Sequence, residues 1–436
     1  MTVINDIEID DIQYKRNVIK EAIHNNEPID DTLHVILTIS NPCLYARRYI
    51  LIKEFIQRME LEETNVAIYV VELAYKNQKF IITSATNKRH LQIRTEVPLW
   101  HKENMVNLGV RRLLPPNWKA MAWIDSDVEF DSPSWALDTL KVLNGTKDVV
   151  QVFSHCIDMN KDEDTMQIFS SFGHQFVKGR PYFSGKSKDF WHPGYGWACT
   201  RKAYDTMGGL FERAILGSGD HIMALSFIQK GATAVNPEST DDYKESILAF
   251  QNRVKRLRVG YVPGVIRHYY HGSKKNRGYG ERWKILVDWE FSPFAHVTTD
   301  DEDILIPTRD CPEGLLDDIM GYFASRNEDE FYQDGSVDDD DEDGSDDDES
   351  SDNDESSDND EEDNDEDDGS DNDEEDNDED DGSDNDEGSD NDDESSDNED
   401  DGSDNDEDGS VVASDDEKLN WFQILHITVD KFINRT

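Results

Sequence analysis

The sequence contains few cysteines and no long apolar run, and these absences exclude several classes of protein. Four cysteines are scattered over 436 residues without a C-x-x-C pair, so neither a zinc ribbon nor a disulfide framework is expected. No uninterrupted apolar run reaches the roughly 18 residues of a membrane span. Residues 1–12 also lack the basic and apolar regions of a signal peptide. The sequence therefore predicts a soluble, cytoplasmic protein in a reducing environment.

Positive charge is absent from one long segment near the C-terminus. The formal charge is −55, and 50 of the 98 acidic residues lie in residues 334–417, which contain no Lys or Arg. The rest of the chain has 48 acids against 43 bases, the balance of an ordinary globular protein. Residues 334–417 have too little apolar surface to offset chain entropy and are predicted to be disordered, with basic proteins as partners. Residues 418–436 again space apolar side chains as an amphipathic helix does, to pack on the body or on a partner.

Apolar runs alternate with amphipathic segments in the rest of the chain. Strands are predicted at residues 34–39, 66–71, 80–83, 119–124 and 149–153. Helices are predicted at residues 45–59, 99–114, 200–207 and 220–230. Residues 157–190 are polar and contain glycines, which favours a loop that borders the site. This alternation predicts an α/β fold, with a mostly parallel sheet flanked by helices on both faces.

Three polar positions follow the predicted strands. Ser40, Glu72 and the Asp125–Asp127 segment each come after an apolar run. Ligands of parallel sheets bind at the carboxyl ends of the strands. The sequence therefore predicts a binding site at this edge of the sheet.

The sharpest candidate is the pair Asp125 and Asp127, within the segment MAWIDSDVEF. Two carboxylates at positions i and i+2 after a buried strand repel each other unless a cation lies between them. Mg²⁺ or Mn²⁺ suits these hard oxygen ligands and would bridge them to a diphosphate. The alternative is a strand-end turn with a capping Asp.

A basic segment after residue 267 offers further ligands. His271 and Gly272 are followed by Lys274, Lys275 and Arg277, which combine a possible metal ligand with charge that neutralises phosphate. A solvated basic face is the alternative. Nucleic acid is the other rival, but the net charge of the body argues against a broad nucleic-acid surface.

Asp220 opens an apolar helix after the glycine-rich turn Gly217–Gly219. An acid at this place is either a helix cap or, beside a metal site, a general base. Upstream, residues 191–197 are rich in rings and turns, which suits either sugar recognition or a structural aromatic cluster.

The order of these motifs resembles GT-A-fold, nucleotide-sugar-dependent glycosyltransferases, closest to the family-2-like group of bacteria and large DNA viruses. The resemblance covers about residues 33–290. It is carried by Ser40-Asn41-Pro42, Glu72, Lys102-Glu103-Asn104-x-x-Asn107-x-Gly109, Asp125-Ser126-Asp127, Gly196-Trp197-Ala198-x-x-Arg201, Gly208-Gly209-Leu210-Phe211, Gly219-Asp220-His221 and His271-Gly272.

The resemblance implies a GT-A-like (Rossmann-like) fold and an inverting hexosyl transfer from a nucleoside-diphosphate sugar to a hydroxyl of a glycan or protein acceptor. Asp125 and Asp127 would hold the donor and its Mn²⁺ or Mg²⁺, and His271 would complete the metal shell. Asp220 matches the position of the family's base, where Gly219 replaces the usual preceding Glu. The implied nucleotide pocket consists of Ser40, Glu72, Lys102, Asn104 and Asn107.

Four regions follow from this interpretation: a lead-in (1–32), a GT-A-like domain (33–330), the acidic tail (334–417) and the amphipathic segment (418–436). Lys274, Lys275 and Arg277 would add fixed positive charge near the diphosphate. A chain that ends near Arg326 is expected to fold and turn over. A virus-encoded protein would act in the host cytoplasm or the virion. The alternative is a non-catalytic GT-A-like module that binds glycans or basic proteins.

Overall fold

The computed structural model describes residues 3–4, 7–8, 26–62, 64–182, 191–278 and 280–330. The predicted acidic tail, the amphipathic segment and most of the lead-in lie outside these residues.

The order of strands and helices follows the alternation predicted from the sequence. The strands are β1 (Val3–Ile4), β2 (Ile7–Glu8), β3 (Leu33–Ser40), β4 (Val66–Tyr75), β5 (His90–Thr95), β6 (Ala120–Ile124), β7 (Val128–Phe130), β8 (Val149–Gln151), β9 (His155–Met159), β10 (Thr165–Ser171), β11 (Trp191–His192), β12 (Gly196–Thr200), β13 (Val259–Tyr261), β14 (Val265–His268), β15 (Val297–Thr299) and β16 (Leu305–Pro307). The helices are α1 (Ala46–Glu62), α2 (Lys102–Leu113), α3 (Trp135–Val142), α4 (Phe172–Val177), α5 (Arg201–Met207), α6 (Gly219–Phe227), α7 (Asp241–Val254), α8 (Glu281–Asp288) and α9 (Glu313–Ser325).

Seven strands form the central sheet, in the order β13-β8-β12-β6-β3-β4-β5. β12 runs antiparallel to its neighbours β8 and β6, and the other neighbours pair in parallel. β1 pairs with β2, and β15 with β16, as separate antiparallel pairs. The central sheet is therefore mostly parallel, as the sequence predicts.

Side chains of β3 alternate between two apolar cores. Val35, Leu37 and Ile39 belong to one core together with side chains of α1 and α3. Ile36 belongs to the other, which includes side chains of α2, α5, α6 and α7. Both faces of the sheet are thus covered by helices, which explains the nearly continuous apolar runs of its inner strands. The α/β fold class predicted from the sequence is confirmed.

A second, five-stranded sheet has the order β11-β10-β9-β14-β7. The segment Asp125–Asp127 joins β6 of the central sheet to β7 of this smaller sheet. β7 pairs antiparallel with β14, and Val128 lies opposite His268. The junction of the two sheets therefore brings the Asp segment beside the histidine segment.

Three local predictions are wrong. Residues 80–83 form no strand, because the backbone N–H groups of Ile81 and Thr83 donate to the carboxylate of Glu72 at 2.6 and 2.8 Å instead of to a neighbouring strand. The edge strand of the sheet is β5, and Glu72 lies inside β4 rather than after it. Residues 157–190 were expected to form a loop, but their described part contains most of β9, all of β10 and α4.

In the described part of the chain, no helix combines the length and the apolar character that crossing a membrane requires.

Candidate active site

Asp127, His268 and His271 form a cluster at the junction of the two sheets. Oδ2 of Asp127 lies 2.9 Å from Nε2 of His271 and 3.7 Å from Nε2 of His268. The two Nε2 atoms are 3.4 Å apart. Oδ1 of Asp127 is buried without a hydrogen-bond partner. One carboxylate and two imidazoles thus point at a common place, an arrangement that could hold a divalent cation.

The charges of this cluster are strongly coupled. Burial opposes ionisation of Asp127, but His271 and His268 outweigh burial and hold its pKa well below the usual value. Burial also opposes the charge of His268, yet its hydrogen bonds to Asp127 and Asp158 raise its pKa to about 9. Burial and the nearby Arg277 lower the pKa of His271 to about 4. His271 is therefore neutral at pH 7, the form that binds metals, whereas His268 would release a proton on binding one.

Asp158 in β9 contacts His268 through the ring nitrogen that does not face Asp127. Its side chain is almost fully buried, and Oδ1 lies 2.6 Å from Nδ1 of His268. Such a carboxylate fixes the imidazole so that Nε2 faces Asp127, as outer carboxylates do in metal centres. Oδ2 of Asp158 pairs with Nζ of Lys274 at 2.5 Å. One buried acid therefore orients both a candidate metal ligand and a predicted phosphate-binding cation.

A buried charge network holds the other histidine. Nδ1 of His271 lies 3.9 Å from Oε2 of Glu328. The carboxylate of Glu328 also pairs with Arg48 through Oε2 and with Arg326 through Oε1. These two guanidinium groups hold the pKa of Glu328 below its usual value despite burial. Gly272 adopts φ +92°, and a β-carbon there would lie 3.1 Å from Cα of Glu328. The end of the folded body thus includes residues beyond Arg326.

Asp125 faces a second group of charges, on α2 and α6. Its backbone N–H donates to the carbonyl of Tyr195 at 2.7 Å, and its carboxylate pairs with the ammonium of Lys102. Burial opposes the charge of Lys102, but Asp125, Asp220 and Glu103 outweigh burial and raise its pKa. Lys102 is therefore paired with Asp125 and electrostatically coupled to Asp220.

Asp220 is the second residue of α6 rather than its N-cap, which is Ser218. Its Oδ1 accepts the backbone N–H of His221 at 2.8 Å. A β-carbon on Gly194 would lie 2.8 Å from Oδ2 of Asp220 and 3.1 Å from the ring of His192. The glycine therefore leaves room for the Asp220 carboxylate beside the His192 ring.

Aromatic rings extend from this carboxylate toward the histidine cluster. The rings of His192 and Tyr195 stack at 4.3 Å, and Phe169 stacks on His192 at 4.6 Å. The ring of Tyr195 lies 4.7 Å from that of His268. Trp191, in contrast, is buried against Phe172. The 191–197 segment thus combines a structural Trp with rings that line the candidate site.

Three of the predicted nucleotide-binding residues hold segments of the protein's own fold through several hydrogen bonds. Glu72 binds the 81–83 backbone, as described above. Asn104 donates to Glu212 and to the carbonyl of Asp303, and it accepts the backbone N–H of Leu305. Asn107 donates to the carbonyl of Leu210 and to Glu212, and accepts from Tyr204 and the backbone N–H of Leu210. These side chains hold neighbouring segments in place, and their contact with a nucleotide stays a prediction.

The remaining predicted residues differ in how close they come to the histidine cluster. Oγ of Ser40 lies 2.5 Å from the hydroxyl of Tyr75. Lys275 and Arg277 belong to a short 3-10 helix, and Nη2 of Arg277 lies 2.9 Å from Nε2 of His271. The structure therefore brings Arg277 into direct contact with His271 and links Lys274 to His268 through Asp158.

Sequence reasoning assigned no role to His268 or Asp158. His268 precedes His271 by three residues, so the H-Y-Y-H spacing was an available signal. Asp158 comes from a strand 110 residues away in sequence and had no comparable signal.

No family model and no curated protein matches the chain. Similar solved structures include Drosophila β-1,4-galactosyltransferase 7, as a mutant in complex with manganese, UDP-Gal and xylobiose, at 10% identity and a TM-score of 0.31. The match covers 64% of this chain and 95% of that one. The catalytic domain of the same enzyme with xylobiose matches at 9% identity and a TM-score of 0.27, covering 64% and 96%. Likeness at this level assigns no activity to the chain.

Proposed function

We propose that this protein is a metal-dependent glycosyltransferase that moves a hexose from a nucleoside-diphosphate sugar to a hydroxyl of a glycan or protein acceptor. The observation that carries the proposal is the convergence of Asp127, His268 and His271, together with the unpartnered Oδ1 of Asp127. A carboxylate and two imidazoles favour Mn²⁺ over Mg²⁺, because Mg²⁺ prefers a shell of oxygen ligands. The same donor set suits iron(II), but nearby Lys274 and Arg277 favour a ligand that carries phosphate.

Each side of the site has a role in this proposal. Asp127, His268 and His271 hold the metal ion, with Asp125 as the second carboxylate of the segment. When bound, the ion neutralises charge on the leaving diphosphate. Lys274, Lys275 and Arg277 add fixed positive charge on the same side. They bind and orient the phosphates, so that the sugar faces Asp220.

Asp220 acts as the general base and accepts the proton of the acceptor hydroxyl. Its carboxylate carries one bond from a backbone N–H and keeps Oδ2 beside Gly194. Attack by the deprotonated oxygen from the face opposite the diphosphate would invert the anomeric centre. Ser40 and Lys102 are the proposed contacts to the nucleotide, whereas Glu72, Asn104 and Asn107 act through the segments that they hold.

The test is a donor screen on the full chain. Uridine, guanosine and other nucleoside-diphosphate sugars are added with Mn²⁺, Mg²⁺ or EDTA, and thermal stabilisation and hydrolysis are measured. We expect one nucleotide class to stabilise the protein in the presence of Mn²⁺, and the same donors to be hydrolysed. NMR of the anomeric proton in the product reports inversion. Glycan binding without hydrolysis or transfer of any donor would favour the non-catalytic alternative.

A further inference from the structure

Glu103 is a buried carboxyl group that no step above uses. It is the second residue of α2, and its side chain is 3% exposed. The carboxyl group lies against the first turn of α6, where a β-carbon on Gly219 would overlap Oε1 of Glu103 and lie 2.5 Å from its Cδ. Glu103 therefore occupies the space that any side chain at position 219 would need.

The groups that face Glu103 come from four elements. They are Lys102 on its own helix, Asp220 on α6, Asp125 at the end of β6 and Tyr243 on α7. Burial is the main influence and raises the pKa of Glu103 to about 8, against the attraction of Lys102. Near neutral pH the group therefore keeps its proton and adds no charge beside Asp220. Since an apolar side chain would fill this space without the cost of burying a polar group, packing alone does not explain Glu103.

We propose that Glu103 is a positioning residue for Asp220: its carboxyl group, seated against Gly219, fixes the first turn of α6 and with it the direction of the Asp220 carboxylate. This inference rests on the proposed function, in which Asp220 takes the acceptor proton. Proton transfer depends strongly on geometry, and a displacement of about 1 Å costs on the order of 100-fold in rate. The candidate metal ligands Asp127, His268 and His271 lie on other elements than this contact, and Lys102, the proposed nucleotide contact beside Glu103, keeps its pairing with Asp125.

The experiment compares the full chain with Glu103→Ala, Glu103→Gln and the double variant Glu103→Ala/Gly219→Glu, which moves the carboxyl group from α2 to α6. We expect Glu103→Ala to reduce kcat by about 30- to 100-fold with little change in donor KM. Glu103→Gln, which keeps the shape and neutrality of the protonated acid, should retain most of kcat near pH 7. In the wild type kcat should fall above about pH 8, whereas in Glu103→Gln this fall should be absent. The double variant should recover part of the loss.

Amide hydrogen exchange at residues 219–222 gives a readout that needs no turnover. Glu103→Ala should speed exchange in this turn, and the double variant should slow it again, whereas exchange in α9 should stay unchanged. If the wild type turns over no donor but the variants show this exchange pattern, the proposed function is refuted. The structural contact between Glu103 and α6 is then still supported. Unchanged exchange and unchanged kcat in Glu103→Ala would overturn the inference. So would equal loss of kcat in Glu103→Ala and Glu103→Gln with no recovery in the double variant.

Discussion

Two groups of buried polar side chains near the carboxyl ends of the central strands differ in their hydrogen-bond partners. On the side of β4 and α2, Glu72, Asn104 and Asn107 bind backbone and side-chain groups of their own fold. On the side of β6 and β14, the groups of Asp127 and His271 converge, and one carboxylate oxygen stays without a hydrogen-bond partner. Folding explains the first arrangement completely.

The difference distinguishes two roles of a buried polar residue, which are stabilising the fold and binding a ligand. A polar group whose hydrogen bonds are all supplied by the chain contributes to stability, since losing a partner costs about 1–3 kcal/mol. A buried carboxylate oxygen that the chain leaves without a hydrogen-bond partner, like Oδ1 of Asp127, is costly unless a ligand compensates it. The side of β6 and β14 is therefore where we expect substitutions to change ligand binding more than stability.

The largest effect is expected for Asp127→Asn. Loss of this carboxylate removes the shared ligand of the cluster, and turnover should fall on the order of 1,000-fold while the fold survives. Mn²⁺-dependent thermal stabilisation by the donor should disappear as well. Asp131→Asn is the matched control, because Asp131 lies in the same region but forms an exposed pair with Arg267. Equal donor stabilisation in both variants would contradict a metal site at Asp127.

Asp220→Asn should have the second largest effect. Without a base, kcat should fall by about 100- to 10,000-fold, whereas donor-dependent stabilisation should stay intact. Asp205→Asn serves as control, since Asp205 lies exposed on α5 and pairs with Arg201. Normal turnover of Asp220→Asn would leave Asp220 a structural role in the first turn of α6.

Asp158→Asn tests whether the outer carboxylate tunes the cluster. An amide still accepts a hydrogen bond from His268 but no longer carries the charge that holds the imidazole and Lys274. Affinity for Mn²⁺ should therefore fall by about 10- to 100-fold, as measured by titration followed by thermal shift or electron paramagnetic resonance. The exposed Asp162, in the turn after β9, provides the control variant. If both variants bind Mn²⁺ as the wild type does, Asp158 has no influence on the metal.

How far the sequence predicts the site depends on how local each signal is. The Asp125–Asp127 segment and His271 were identified because several chemically informative residues stand close together after an apolar run. Asp158 is a single acid in a strand and meets His268 only through the pairing of β9 with β14. Long-range pairing of this kind leaves no mark on the local pattern.

The errors in the secondary structure predicted from the sequence have a similar cause. The sequence H-L-Q-I-R-T of β5 alternates polar and apolar residues, whereas the more apolar residues 80–83 attracted the strand prediction. Their backbone instead binds Glu72, a contact that local apolar content does not encode. Inner strands were predicted well because burial on both faces gives them continuous apolar runs.

Truncation of the chain after Arg326 tests the charge network around Glu328. We expect it to change the catalytic rate less than the stability of the protein. The sequence suggested that a chain ending near Arg326 would keep its turnover. Without Glu328, Arg48 would lose a buried partner and His271 its neighbouring carboxylate. We expect a chain ending at residue 326 to lose about 3 kcal/mol of unfolding free energy relative to one ending at residue 330. Equal urea denaturation midpoints for the two chains would contradict a structural role of Glu328.

The smallest effect is expected from removing residues 331–436. Residues 334–417 contain no basic residue and few apolar ones, so the sequence predicts no packing of them against the candidate site. Their negative charge would repel a diphosphate donor, but only over about one Debye length, which is roughly 8 Å at physiological salt. The chain ending at residue 330 should therefore show the same kcat as the full chain. Its donor KM should be about twofold lower at low ionic strength and indistinguishable at physiological salt. A fall in kcat at unchanged stability, measured over a range of salt concentrations, would instead give the acidic segment a part in catalysis.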